Sequence, residues 1–140
     1  MKGEATSVDI VSTYCRRAYK LGGEYHLTAD EMFTEAIEKA KAKDLEREEM
    51  VRKGLDLEES LSPLHGLPMS VKDQLMYPGT ICSVGTFSKC GKRLDEKTHA
   101  VELLERAGAI PFVKSNVALW QYRGLHLAAS ATSPTVGRRV

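Results

Sequence analysis

From Ser7 to Leu21 the apolar residues Val8, Val11, Cys15 and Ala18 recur at helical spacing, with Tyr14 and Leu21 beside them. The pattern predicts an amphipathic helix, capped by Ser7, with Asp9 near its positive end and Gly22-Gly23 as the stop. Arg16, Arg17 and Lys20 fall mostly off the apolar face and read as a solvated flank. A second helix is predicted from the run Thr28-Ala29-Asp30-Glu31, whose spacing fits a capping box, with Leu27 and Met32 at the positions of a hydrophobic staple. Its apolar face continues through Phe33, Ala36, Ile37 and Ala40, and it runs to about Lys53 before Gly54. The second half, KAKAKDLEREEMVRK, sets carboxylates and amines three or four residues apart, the pattern of an exposed helix face.

The rest of the chain alternates differently. Residues 54–66 read as a loop, and Leu67 to Lys72 as a short apolar strand. Pro78-Gly79, Gly85 and Gly91 punctuate residues 76–93, which read as loops and short extended pieces. A third helix is predicted from about Thr98 to Ala107, with Val101, Leu103, Leu104 and Ala107 toward its buried side and Gly108 at the stop position. Ala109 to Val113 is a second apolar strand. Strand, helix-bearing connection and strand form a βαβ unit, which implies parallel pairing in an α/β fold. Ligands of such sheets gather at the carboxyl ends of the strands. Lys72 stands at one such end and Lys114-Ser115-Asn116 at the other.

Composition narrows the function classes. A chain of 140 residues with 20 Lys and Arg against 19 Asp and Glu carries a net charge of +1, so no general pull toward nucleic acid or anionic lipid follows. Cys15, Cys82 and Cys90 are odd in number and form no CxxC pair; neither a disulfide framework nor a zinc site is indicated, and idle thiols in a reducing compartment are expected. His26, His65, His99 and His126 show no metal-ligand spacing. No phosphate-cradling glycine loop and no GxSxG elbow is present, and no cofactor is predicted. Trp120, Tyr122 and Arg123 form one aromatic cluster without a basic stripe, a poor nucleic-acid signal. The N-terminus lacks an apolar leader core and no run is long enough to cross a bilayer, so a soluble, cytoplasmic chain is expected.

The segment GLPMSVKDQL carries the sharpest anomaly: an apolar strand that finishes on Lys72 followed by Asp73. One reading is a strand-exit lysine whose amine reaches solvent or pairs with a carboxylate. The other is a lysine desolvated enough to be neutral near pH 7 and hence a proton acceptor. Position alone leaves both open.

PLHGLPMSVKDQLMYPGTICSVGTFS, Pro63 to Ser88, resembles the first signature of the amidase signature family, the serine amide hydrolases. The likeness continues through HAVELLERAGAIPFVKSNV, His99 to Val117, and the helices ATSVDIVSTYCRRA and LTADEMFTEAIEKAK also look like that family's. The wording PFVKSNV is nearest to amidases of the fatty-acid-amide-hydrolase and fungal general-amidase type. The resemblance covers about residues 5–117 and implies the N-terminal portion of a mixed-sheet amidase-signature fold, with helices packed on an incomplete sheet. It also implies a Ser–cis-Ser–Lys catalytic set acting on a small-molecule amide. By its place in the motif, Lys72 matches the catalytic lysine, which takes a proton from a bridging serine that in turn activates the nucleophilic serine.

The two serines of that family lie in a downstream stretch reading like GGSSGGE, which also supplies the oxyanion hole; it is not found in this sequence, and Ser130 and Ser133 lack flanking glycines. No Asp or Glu follows Glu105, and after Val117 the wording of the family stops. Two regions are therefore expected: 1–117 as the N-terminal part of an amidase domain, and 118–140 as an unrelated, irregular tail. The expected product is a truncated amide hydrolase, inactive alone. Two alternatives are a non-catalytic module that binds a full-length amidase or another partner through an exposed sheet edge, and a piece of the amidase-like subunit of a glutamine-dependent tRNA amidotransferase.

Overall fold

The computed structural model describes residues 5–117. Trp120, Tyr122, Arg123, His126, Ser130, Ser133 and the tail expected over 118–140 lie outside these residues. Helix α1 spans Ser7–Arg17 and continues as one wider π-type turn over Ala18–Gly22. Its cap is Thr6 and not Ser7: the Asp9 N–H donates to Thr6 Oγ1 at 3.0 Å, and the Thr6 N–H donates back to Asp9 Oδ2 at 3.1 Å. Ser7 is instead the first helical residue, and its N–H, with that of Val8, donates to the Asp44 carboxylate at 2.7 and 3.0 Å. A remote carboxylate thus satisfies two free N–H groups at the positive helix end. Gly22 is required by close approach, since a Cβ there would lie 2.7 Å from Thr28 Cγ2.

The capping box predicted at Thr28 does not form. Residues Thr28–Glu31 are strand β1, and helix α2 runs Phe33–Arg52. Strand β1 pairs antiparallel with strand β3, Ile110–Ser115, matching Thr28 to Ser115 and Glu31 to Val113. The Met32 N–H also donates to the Phe112 carbonyl at 3.0 Å. Pairing in the sheet satisfies the backbone that a cap would otherwise serve, so tertiary contact overrides the local signal. The staple fails with it: Leu27 is 56% exposed while Met32 is buried in the core.

Helix α2 ends where expected, before Gly54 at φ 69°. The loop that follows contains a single turn, α3, over Leu57–Ser60. Strand β2, Pro68–Lys72, pairs parallel with β3 across helix α4, His99–Arg106. The βαβ expectation therefore holds. The sheet is mixed, in the order β1-β3-β2, and β3 runs two residues further than predicted, through Lys114 and Ser115.

One core layer joins Val11 and Cys15 of α1, Ala36 and Ala40 of α2, and Ile110, Phe112 and Val113 of β3. The two alanines have no exposed surface, and their small size lets the helices approach closely. A second cluster holds Met32, Val71, Tyr77 and Val101. Leu103 and Leu104, expected on the buried side of α4, are half-exposed, and Val101 is the buried residue of that helix.

Candidate active site

The parallel pairing sets Lys72 opposite Ser115 and Val71 opposite Lys114. Side chains alternate along a strand, so the two lysines leave the sheet on opposite faces. Lys72 is half-buried, and its Nζ donates to the Asn116 carbonyl at 2.6 Å. That acceptor is itself held in place. The Asn116 N–H donates to the Leu27 carbonyl at 2.8 Å, and its Nδ2 donates to the His26 carbonyl at 2.9 Å.

The turn after Lys72 is pinned on several sides. The Leu75 N–H donates to the Lys72 carbonyl at 2.9 Å, and the Asp73 N–H to the Ser115 carbonyl at 2.9 Å. Asp73 is 1% exposed. Its carboxylate accepts from the Ser83 N–H at 3.2 Å, the Ser83 hydroxyl at 2.9 Å and the Val84 N–H at 2.7 Å. Ser83 Oγ in turn accepts from the Gly85 N–H at 3.1 Å. This carboxylate fastens the loop 82–85 to the end of β2.

Lys114 is fully buried, and its Nζ donates to the carbonyls of Asp73, at 2.9 Å, and Leu75. Burial pushes its pKa below the ordinary lysine value, opposed by the nearby Asp73, Cys82 and Asp30. Sequence alone places Lys114 only at a strand end. The signal that singled out Lys72, a lysine closing an apolar run, is equally present in AIPFVKS.

The other candidates disperse. The ring of His65 is buried, with Nε2 3.0 Å from the Lys43 carbonyl; His99 is exposed beside Glu102; His26 contributes a carbonyl to Asn116. Burial raises the thiol of Cys15 to about 11, helped by Glu31, and pushes the thiols of Cys82 and Cys90 upward as well. None of the three is an activated thiolate. Among the described residues no helix is long and apolar enough to cross a membrane.

Comparison with known proteins places this arrangement. The chain is 36% identical over 115 residues to an acetamidase of Aspergillus oryzae, covering 82% of this chain and 20% of the relative. It is 31% identical over 137 residues to fatty-acid amide hydrolase 2-B of Danio rerio, covering 95% of this chain and 26% of the relative. Among solved structures, the native peptide amidase from Stenotrophomonas maltophilia superposes with a TM-score of 0.69 at 26% identity, over 84% of this chain and 23% of that one. A fatty acid amide hydrolase superposes with a TM-score of 0.65 at 25% identity, over 81% of this chain and 19% of that one. The chain thus spans about a fifth to a quarter of the length of these relatives. The family model described as Amidase matches residues 9–135, and this chain belongs to that family, the amidase-signature proteins.

Proposed function

We propose that this chain is the N-terminal part of an amide hydrolase acting on a small-molecule amide, with Lys72 as the proton acceptor. The observation that carries the reading is the place of Lys72, at the carboxyl end of a parallel strand with its Nζ fixed on the Asn116 carbonyl. A neutral lysine amine has two N–H bonds and one lone pair. One N–H on Asn116 orients the lone pair, which can then take a proton from a serine hydroxyl. On this reading the family's GGSSGGE-like serine stretch is missing from the sequence, and Ser83 does not replace it, since its hydroxyl is committed to Asp73 and Gly85. The isolated chain should therefore turn over short amides no faster than its Lys72→Ala variant. Turnover that depends on Lys72 would overturn the inactivity and leave the base role standing.

Val117 is proposed as the boundary between the amidase part, 1–117, and a tail, 118–140, on the change of composition there. The family match runs to residue 135, so the boundary needs its own test. Sequencing the transcript across codon 117 and translating all frames decides it: a second frame with a GGSSGG-like continuation supports the boundary, and a family-like continuation in the same frame overturns it. A reducing, cytoplasmic setting is supported by Cys15, Cys82 and Cys90 all being free thiols.

A second reading, a non-catalytic module, is favoured by one feature. Strand β2 lies at a sheet edge among the described residues, and Leu67, Leu103 and Leu104 are exposed. A monodisperse complex with a partner chain in size-exclusion chromatography supports this reading. A solitary, aggregating chain removes it.

A further inference from the structure

The two strand-end lysines are exchanged. Lys72, from β2, holds the carbonyl that follows β3; Lys114, from β3, holds the carbonyls that follow β2. We propose that Lys114 is a positioning residue for Lys72, its ammonium clamping the turn 73–75 so that the Lys72 amine stays on the Asn116 carbonyl.

Three observations carry this. Lys114 has no exposed surface, and a buried ammonium bonded only to main-chain carbonyls is an expensive way to fill space that a Met or Leu would fill more cheaply. Both acceptors belong to the turn that Lys72 begins, and that turn is closed by the Leu75 N–H on the Lys72 carbonyl. The Asp73 N–H on Ser115 ties the same turn to β3, so Lys114 completes a ring of bonds around the first residues after Lys72. Backbone pairing with β3 ends at the Asp73 N–H on the Ser115 carbonyl. Beyond it, Lys114 is the side chain of β3 that reaches across.

The inference rests on Lys72 being the base, but its test reads the amine directly and needs no turnover. The full chain and its Lys114→Met variant are trace-labelled with acetic anhydride, and the rate at Lys72 is divided by that at the exposed Lys41. With the clamp gone, the ratio should rise about tenfold in the folded variant, as expected when the Lys72 N–H leaves its carbonyl and the amine is freed to react. Lys114→Arg, which keeps donors in place, should return the ratio at least partway. A merely structural role would lower the melting temperature and leave the ratio unchanged, and that result overturns the proposal. If Lys114→Met does not fold, proton exchange of the ammonium groups in the unmutated chain decides instead. Protection at Lys72 and Lys114 lost at the same sub-denaturing urea supports the clamp, and protection at Lys72 that outlasts that at Lys114 overturns it.

Discussion

The carboxylate of Asp73 accepts the Val84 N–H at 2.7 Å while Val84 holds a φ of 52°, a left-handed conformation that a β-branched residue rarely adopts. The contact and the conformation belong together: the carboxylate draws in the N–H groups of Ser83 and Val84, and the loop curls to deliver them. Asp73→Asn would put an amide N–H₂ where donors already point. It should cost about 2–3 kcal/mol, read as a lower urea midpoint at neutral pH. An unchanged midpoint would mean the loop is held by something else.

Val84 itself is strained, so relief should be measurable. Val84→Gly removes a conformational cost of roughly 1–3 kcal/mol and adds up to about 1 kcal/mol of chain entropy. The variant should melt higher than the parent chain. A lower melting temperature would show that side-chain packing of Val84 outweighs its backbone.

How much of this was legible in the sequence depended on how local each determinant is. The first helix, the long second helix and the βαβ unit were readable because their apolar spacing repeats over many residues. Strand β1 was not: four residues with the wording of a cap become a strand only when β3 supplies the pairing partner. Thr6 and Ser7 offer the same hydroxyl one residue apart, and the Asp44 carboxylate that takes the Ser7 N–H as the first helical donor lies in another helix. At the site, Lys72 was found as an anomaly in an apolar run. Lys114 sits in the same kind of run, yet its acceptors are main-chain carbonyls that no side-chain pattern advertises.

Acid should weaken the link between α2 and α4. Lys39 Nζ donates to both Glu105 and Tyr77, and Lys97 Nζ lies 2.5 Å from Glu105 Oε2. Burial alone would raise the Glu105 carboxyl, but the hydrogen bonds from Lys39, Lys97 and Tyr77 together outweigh it and hold the carboxyl below its ordinary value of 4.5. A depressed carboxyl stabilises the fold above its unfolded pKa and ceases to do so as pH falls through the folded value. Glu105→Gln should therefore cost about 1 kcal/mol near neutrality, a figure kept small because Lys39 is partly exposed. The gap between the two chains should close as pH drops below the ordinary carboxyl range. Denaturation curves that stay equally far apart in acid would contradict this.

Gly108 admits no side chain. It stands at φ 100°, and a Cβ there would lie 2.3 Å from Ser62 Oγ and 2.8 Å from the His65 Cα. Gly108→Ala should cost more than about 2 kcal/mol, from backbone strain and overlap together. Circular dichroism melting checks it; a loss below half that size would mean the Ser62 loop yields easily.

Cys15 should be chemically silent in the folded chain. With its thiol raised to about 11 and only 5% of the residue exposed, the thiolate is roughly 0.1% populated at pH 8. Its labelling by a disulfide reagent should follow global unfolding, slowing as urea is withdrawn. Rapid labelling without denaturant would place Cys15 in a mobile helix rather than a core.

The order β1-β3-β2 sets a timetable for folding. The central strand is the last in the chain among the described residues, and Thr28 finds its partner only at Ser115. The two N-terminal helices can meet early, since they adjoin in sequence and pack on each other through Ala36 and Ala40. Both outer strands must wait, unpaired, until residues 110–115 arrive between them. Closing so long a loop is slow. During synthesis, the span before β3 emerges is when this chain is most open to pairing with the wrong strand.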